Sequence, residues 1–451
     1  MRSDNKYIFL VLFHVLIGIL VYLVKPLSNV YFFTALIYFL GGLILTGNKN
    51  KLSFVLNGCA YFVGAEVLFR MTKGGLAYES SKYLVILFVL MGMFFKGISG
   101  KGFPYFVYLI LLVPSVLVAS VDLDVDANFR TNIAFALSGP VCLGLASLFF
   151  YNKKVSNGDI IDMLAYASLP IVSMTTYLFL YNPSIKETIH NTASNFRTSG
   201  GFGPNQVATI LGLGMFTFTV RILLKSPNLF LKIFNMVFLG LLSYRAVITF
   251  SRGGVFAAVI TIAAFLFFIF IRAKPRLKNK ILSSFFLLIV CLGLTWFISS
   301  LNTGGLIDKR YANQDALGRD KGDVSTGRVE LFYNELQGFV ENPFLGIGAS
   351  NTKYNREEGV SVVTHNEISR LLSEHGIMGI LIIIILIFTP LSYRSINRKN
   401  LFFYAFLSFW FATINHSAIR LAAPAFFYSL ALLNIKNEKR PIHRKRLIKN
   451  R

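Results

Sequence analysis

Three short polar segments, each next to an apolar run, hold the residues best suited to chemistry. The first is NFRTSGGFGPNQVA, residues 195–208, in which Arg197 precedes three glycines, Pro204 and Asn205. A guanidinium beside a glycine-rich turn that opens a helix makes an anion cradle of backbone N–H groups and fixed charge. The same pattern also suits an ordinary turn whose arginine snorkels to lipid headgroups. The second is SRGG, residues 251–254, with Arg245 seven residues before Arg252 and on a similar helix face. An arginine at membrane depth is costly unless it binds something, and planar, permanently charged forks suit a diphosphate. For Arg245 a salt bridge to Glu66 is the structural alternative. The third is THNEISRLLSEHGIMG, residues 364–379. His365, at the start of a helix, is the best available general base because its ordinary pKa lies near neutrality. An isolated histidine also serves simply as a hydrogen-bonded polar residue. Gly376 and Gly379 allow close packing where this helix meets the next apolar run.

The elements around these segments are built for lipid. Of 451 residues, 54% are hydrophobic and 15% charged, against about a quarter charged in soluble domains; mean hydropathy is +0.60. The run from Ile8 to Val24 leads into Lys25 and Pro26 without a small-residue cleavage site, so it reads as a first span and not a removable signal. Runs long enough to cross a bilayer fall at 8–24, 29–46, 53–69, 83–95, 103–121, 132–151, 161–181, 206–224, 230–250, 253–271, 281–300, 376–390, 401–415 and 419–434. These predict an all-α polytopic membrane protein of about 12–14 transmembrane helices. Residues 1–434 form one membrane-embedded helical domain, with a loop subdomain at 301–375 inside it and a basic tail at 435–451.

Charge gives the orientation. With both termini in the cytoplasm, the inside connectors carry Lys49 and Lys51, Lys96 and Lys101, Lys153 and Lys154, Arg221 to Lys232, Arg272 to Lys280, and Arg394 to Lys399. The outside connectors are poor in Lys and Arg, as the positive-inside rule requires. The 70–82 connector is the exception, placing Arg70, Lys73 and Lys82 outside. This alternation puts all three polar segments and the long 301–375 loop on the outer side. Within that loop, Val329, Leu331, Phe332, Leu336 and Phe339 share one face of a helix that ends at Asn342 and Pro343, and the simplest account lays it along the membrane surface. The net charge of +24 is therefore a topology signal, with lipid headgroup contact by the tail as a further use. Nothing resembles a compact basic nucleic-acid domain.

Other constellations are weaker. Asp122, Asp124 and Asp126 alternate like hard-cation ligands, but Ala127 and Ile133 stand where an EF-hand needs Gly and Glu. His365, Glu367, Glu374 and His375 lack the i, i+4 histidine pair of a helical zinc site. Cys59, Cys142 and Cys291 lie in separate apolar runs, spaced for neither zinc nor redox work. No metal or cofactor is expected.

Taken in order, Arg197 with Pro204 and Asn205, Ser251–Arg252–Gly253, Gly327–Arg328, Asn342–Pro343 with Gly346 and Gly348, and His365–Asn366 with Gly376 and Gly379 resemble the O-antigen ligase and polymerase superfamily. The resemblance covers roughly residues 190–390. It implies a metal-independent, inverting glycosyltransferase of GT-C-like architecture in the bacterial cytoplasmic membrane, its active site facing the periplasm or exterior. Such enzymes move a glycan from undecaprenyl diphosphate to a hydroxyl of another glycan, a lipid A core or a similar acceptor, with the polyprenyl tail in the lipid. By that resemblance Arg197 and Arg252, with Arg245, hold the diphosphate, and His365 takes the acceptor's proton. Arg328, Asn366, Gly376, Gly379, Pro204 and Asn205 shape the site. Ile380 and Leu381 occupy positions where ligases often carry small hydroxyl residues, which tilts the choice toward polymerase. A lipid-oligosaccharide flippase is the alternative from another class, but the repeated halves and broken helices of a transporter are not visible. A peptidoglycan polymerase would share the architecture and use a carboxylate in place of His365.

Overall fold

The computed structural model describes residues 3–122, 128–182, 184–353 and 364–436. Helices α1 (Ser3–Leu23), α2 (Leu27–Leu45), α3 (Lys51–Thr72) and α4 (Ser80–Lys96) run antiparallel, followed by α5 (Phe103–Leu111) and α6 (Val113–Asp122), which form one broken span. Pro114 in the first turn of α6 has no N–H to continue the ladder, and that splits the run at Leu112. Then come α7 (Phe129–Phe150), α8 (Asn157–Tyr181), α9 (Pro204–Leu224), α10 (Leu229–Ile248), α11 (Arg252–Arg272) and α12 (Pro275–Asn302). The long connector holds α13 (Leu306–Tyr311), α14 (Arg328–Glu341) and α15 (Glu367–His375), and the chain finishes with α16 (Ile377–Ile396), α17 (Phe403–Ser417) and α18 (Ala422–Leu430). The protein is an all-α polytopic membrane protein, with 11 helical segments among the described residues long and apolar enough to span.

Helix lies in each of the fourteen predicted spans, with one shortfall. The run at 419–434 is helical only over Ala422–Leu430, because backbone N–H groups at its start bond elsewhere. Those of Ala418, Ile419 and Ala422 go to the His365 carbonyl, the Glu367 carboxylate and the Glu66 carboxylate, at 3.1, 3.2 and 2.7 Å.

Packing inside the bundle relies on small residues, as expected where lipid supplies no hydrophobic contrast. A Cβ on Gly64 would sit 2.1 Å from the Ala167 carbonyl, so α3 and α8 touch backbone to backbone. One cluster of buried charge is paired. Arg70 bonds Glu66 at 2.5 Å and Glu79 at 2.8 Å, Lys82 bonds Glu79 at 2.8 Å, and Arg70 also reaches Gln206 and the Arg420 carbonyl. Two of the three cations of the exceptional 70–82 connector, Arg70 and Lys82, are thus neutralised inside the protein and are not free loop charges, while Lys73 stays exposed. It also corrects the expected alternative for Glu66, whose partner is Arg70 and not Arg245.

Two ends of the bundle are distinguished. At one, β1 (Lys154–Val155) and β2 (Asn434–Ile435) pair in parallel, joining the α7–α8 turn to the end of the described chain. Tyr7 of α1 reaches Asn235 at 2.7 Å and lies under the Arg221 guanidinium at the same end. The opposite end carries the 182–203 connector, the α10–α11 turn and α13–α15. There α14 forms where expected, packing Glu335 and Gly338 against Ser369 and Ser373 of α15. Val329 on its predicted apolar face is exposed, while Leu331, Phe332, Leu336 and Phe339 are half-buried.

Candidate active site

The SRGG turn is a packing joint. A Cβ on Gly254 would stand 2.4 Å from Ala208 of α9, and one on Gly253 would stand 2.5 Å from the His416 ring of α17. The two missing side chains let α11 press on α9 and α17 together. Ser251 donates to Asn205 Oδ1 at 2.7 Å, tying the turn to the first turn of α9, which opens on Pro204. Arg252 is thereby aimed at the long connector. Its Nη2 donates to the Val324 carbonyl at 2.7 Å, and its Nη1 reaches the Arg310 carbonyl and Asn313 Oδ1 at 3.5 Å each. Arg310 returns the contact, its Nε donating to the Phe250 carbonyl at 3.1 Å. These bonds all go to neutral oxygens, so the guanidinium charges stay uncompensated by them. Burial, with Arg252 and Arg328 close by, lowers Arg310 to about 10, and the same two causes lower Arg328. Each remains charged at neutral pH.

A cavity of about 810 Å³ opens beside this cluster. Its polar end is formed by Asn205, Ser251, Arg252, Arg310, Arg328 and His416. Its other end is an apolar chute between α11, α16 and α17, walled by Phe256, Ile260, Leu386, Pro390, Leu407 and Trp410. A cavity with charge at one end and lipid-facing hydrocarbon along the rest suits an anionic headgroup on a long apolar tail.

His365 does not itself line the cavity and adjoins its polar end through His416. Its Nδ1 lies 3.3 Å from the main-chain carbonyl of His416. A carbonyl only accepts, so this contact assigns the proton to Nδ1 and leaves the Nε2 lone pair as the basic site. Burial first, then the charges of Arg420 and Arg328, lower the imidazole to about 4. The backbone is fixed from both sides. The Ala418 N–H bonds the His365 carbonyl at 3.1 Å, and the Arg420 guanidinium holds the Thr364 carbonyl. Asn366 caps α15, accepting from Ile368 and Ser369 at 2.8 and 3.2 Å, and donates to Asn415 at 3.1 Å. Arg370 pairs with Glu367 and Glu374, so both carboxylates of the weighed zinc set serve that arginine. Gly376 takes φ +58 where a Cβ would meet Phe344 at 2.7 Å, and a Cβ on Gly379 would stand 2.1 Å from the Leu371 carbonyl oxygen. Both meet the expectation of close packing.

Arg197 and Arg245 are placed differently from Arg252. Arg197 is exposed and does not line the cavity. The expected backbone cradle is not formed, because the N–H groups of Arg197, Ser199, Gly201 and Phe202 already bond to Asn195, Phe196, Phe196 and Ser199. Arg245 is 1% exposed, donates to the Thr198 carbonyl at 2.8 Å, and stands over the Phe179 ring. It props the Arg197 loop from beneath.

Sequence reasoning passed over Arg310, His416 and Arg420 as site residues. In the sequence His416 is only a polar interruption between the apolar runs 401–415 and 419–434, and Arg310 one of several charges in the 301–375 loop. His416 is the joint between α9, α11 and α17, its Nε2 3.2 Å from Thr209 Oγ1 and its Nδ1 3.1 Å from the Ala412 carbonyl. Asp124, Asp126 and the tail beyond Lys436 lie outside the described residues. In comparison with known proteins, a family model described as O-antigen ligase matches residues 237–384, from within α10 to the first turns of α16. The match is narrower than the expected 190–390 and leaves out Arg197, Pro204 and Asn205. No curated protein matches the chain.

Proposed function

We propose that the chain is a membrane glycosyltransferase of the O-antigen ligase or polymerase type, a reading supported by the family match over residues 237–384, and that it transfers a glycan from undecaprenyl diphosphate to an acceptor hydroxyl on the outer side of the bacterial cytoplasmic membrane. The observation that supports this most is the two-ended cavity. In this reading the polyprenyl tail lies in the chute between α11, α16 and α17, while Arg252, Arg310 and Arg328 receive the diphosphate. His365 Nε2 takes the acceptor O–H proton, the acceptor oxygen bonds to the anomeric carbon, and the bond from that carbon to the diphosphate breaks on the opposite face. The configuration inverts. Negative charge grows on the departing phosphate oxygen, where fixed guanidiniums act most strongly. Arg197 assists at the mouth of the site, and Arg245 positions its loop.

The test is transfer in reconstituted vesicles from a defined undecaprenyl-diphosphate glycan. His365→Ala is expected to abolish transfer while insertion persists, and normal transfer by that variant would remove the base from the mechanism. Arg252→Lys should cost about tenfold or more, since a point charge replaces a bidentate fork. Loss of activity on chelation would contradict a metal-free reaction. A deletion strain separates the two finer activities. Polymer stranded on the carrier indicates a ligase, and single repeat units on the acceptor indicate a polymerase.

A further inference from the structure

A second cavity, of about 450 Å³, lies far from the SRGG turn, between α1 and α2 and backed by α3 and α8. Its walls follow the two helices at turn-by-turn spacing, from Lys6 through Leu10 and Ile17 to Val21 on α1, and from Leu27 through Tyr31 to Tyr38 on α2. Lys6 and Val21 are separated by about 22 Å at 1.5 Å per residue. One leaflet of hydrocarbon is about 15 Å thick, so the slot crosses the midplane. Midway along its wall, three polar side chains are bonded among themselves and to backbone: His14 to the Leu10 carbonyl at 2.7 Å and to Tyr61 at 2.9 Å, and Tyr61 to Tyr31 at 2.7 Å. A largely apolar slot at this depth suits a hydrocarbon chain better than water. The α1–α2 turn above its far mouth carries exposed Lys25. From that mouth Tyr22 contacts Tyr177 at 6.0 Å, Tyr177 stacks on Tyr181 at 5.9 Å, and Tyr181 touches Gly201 in the Arg197 loop.

We propose that this slot binds the isoprenoid chain of a second polyprenyl phosphate lipid, its phosphate directed toward Lys25. The length favours a chain that runs past the midplane over an acyl chain confined to one leaflet. Lys25, two residues from the lining Leu27, complements a phosphate at the far mouth. The proposal rests on the transfer reading, and it names a carrier-linked acceptor, which chain extension requires.

Native mass spectrometry of the full chain, titrated with undecaprenyl phosphate in the presence of phosphatidylglycerol, counts the sites. Wild type should bind two molecules. Thr34→Trp, at the exposed lip of the slot, should lose one and keep one, and Ile260→Trp in the chute should lose the other. Lys25→Glu should weaken the slot site several-fold without blocking it, a second check that does not fill the cavity. Two molecules still bound by Thr34→Trp, or a slot occupied by phosphatidylglycerol alone, overturns the proposal while leaving the transfer reading standing. No binding of undecaprenyl phosphate at all overturns both.

Discussion

His365 draws its chemistry from a carbonyl and two cations. The His416 carbonyl fixes the tautomer, and burial first, then Arg420 and Arg328, hold the imidazole neutral, down at about 4. A base that weak is a poor proton acceptor, so its neighbourhood must change during turnover. A bound diphosphate would offset the Arg328 charge and raise the imidazole toward its usual range. The pH dependence separates the two states. In the free protein the lowered pKa keeps the base competent as pH falls, so kcat/KM should stay level to roughly pH 5 and drop only near pH 4. In the donor complex kcat should fall off at a higher pH. Coincident inflections near the ordinary histidine value, measured in reconstituted vesicles, would contradict this account. His365 was legible because a capping asparagine and a helix follow it. His416 was not, because its contribution is a main-chain carbonyl and a ring wedged against a glycine, and neither leaves a mark in spacing.

At the scale of elements, the helices were legible from hydropathy and their contacts were not. Fourteen apolar runs pointed to helices in the right places, yet nothing in the run at 419–434 says that its first residues bond to His365, Glu367 and Glu66 instead of to a preceding turn. Those long-range bonds make α18 short and make the 418–421 segment a brace for the site. The glycines of SRGG likewise read as a turn, although their contacts are with α9 and α17. Gly253→Ala should push the His416 ring aside and cost about 1–3 kcal/mol of stability, the usual price of overpacking, with a larger loss of transfer than of fold. Gly293→Ala is the control. Its Cβ would meet nothing within 4 Å, and helix propensity alone would favour it by up to about 1 kcal/mol. Thermal unfolding in detergent, run beside the transfer assay, compares them. Equal behaviour of the two variants would remove the joint from the argument.

For the whole molecule, loop charge suggested an orientation that one connector contradicted. Most of that connector's charge is internal, because Arg70 and Lys82 are buried in ion pairs with Glu66 and Glu79 and only Lys73 is exposed. The orientation itself is open to direct labelling. A membrane-impermeant thiol reagent applied to intact spheroplasts should modify Leu317→Cys, which lies in the long connector and is 77% exposed, and should spare Asn48→Cys in the α2–α3 turn. The reverse pattern would turn the protein over and place the proposed transfer in the cytoplasm. The brace at 418–422 has one further bearing, on what a shortened chain can do. The family-matched stretch ends at residue 384, yet the groups that hold His365 in place come from residues 416–420, beyond it. A chain halted after α16 would already possess its arginines and its histidine, but that histidine would lack a settled tautomer. On the proposed reading, in which His365 is the base, a chain truncated after α16 should insert and yet show no transfer, and transfer by that truncated chain would separate the brace from the chemistry.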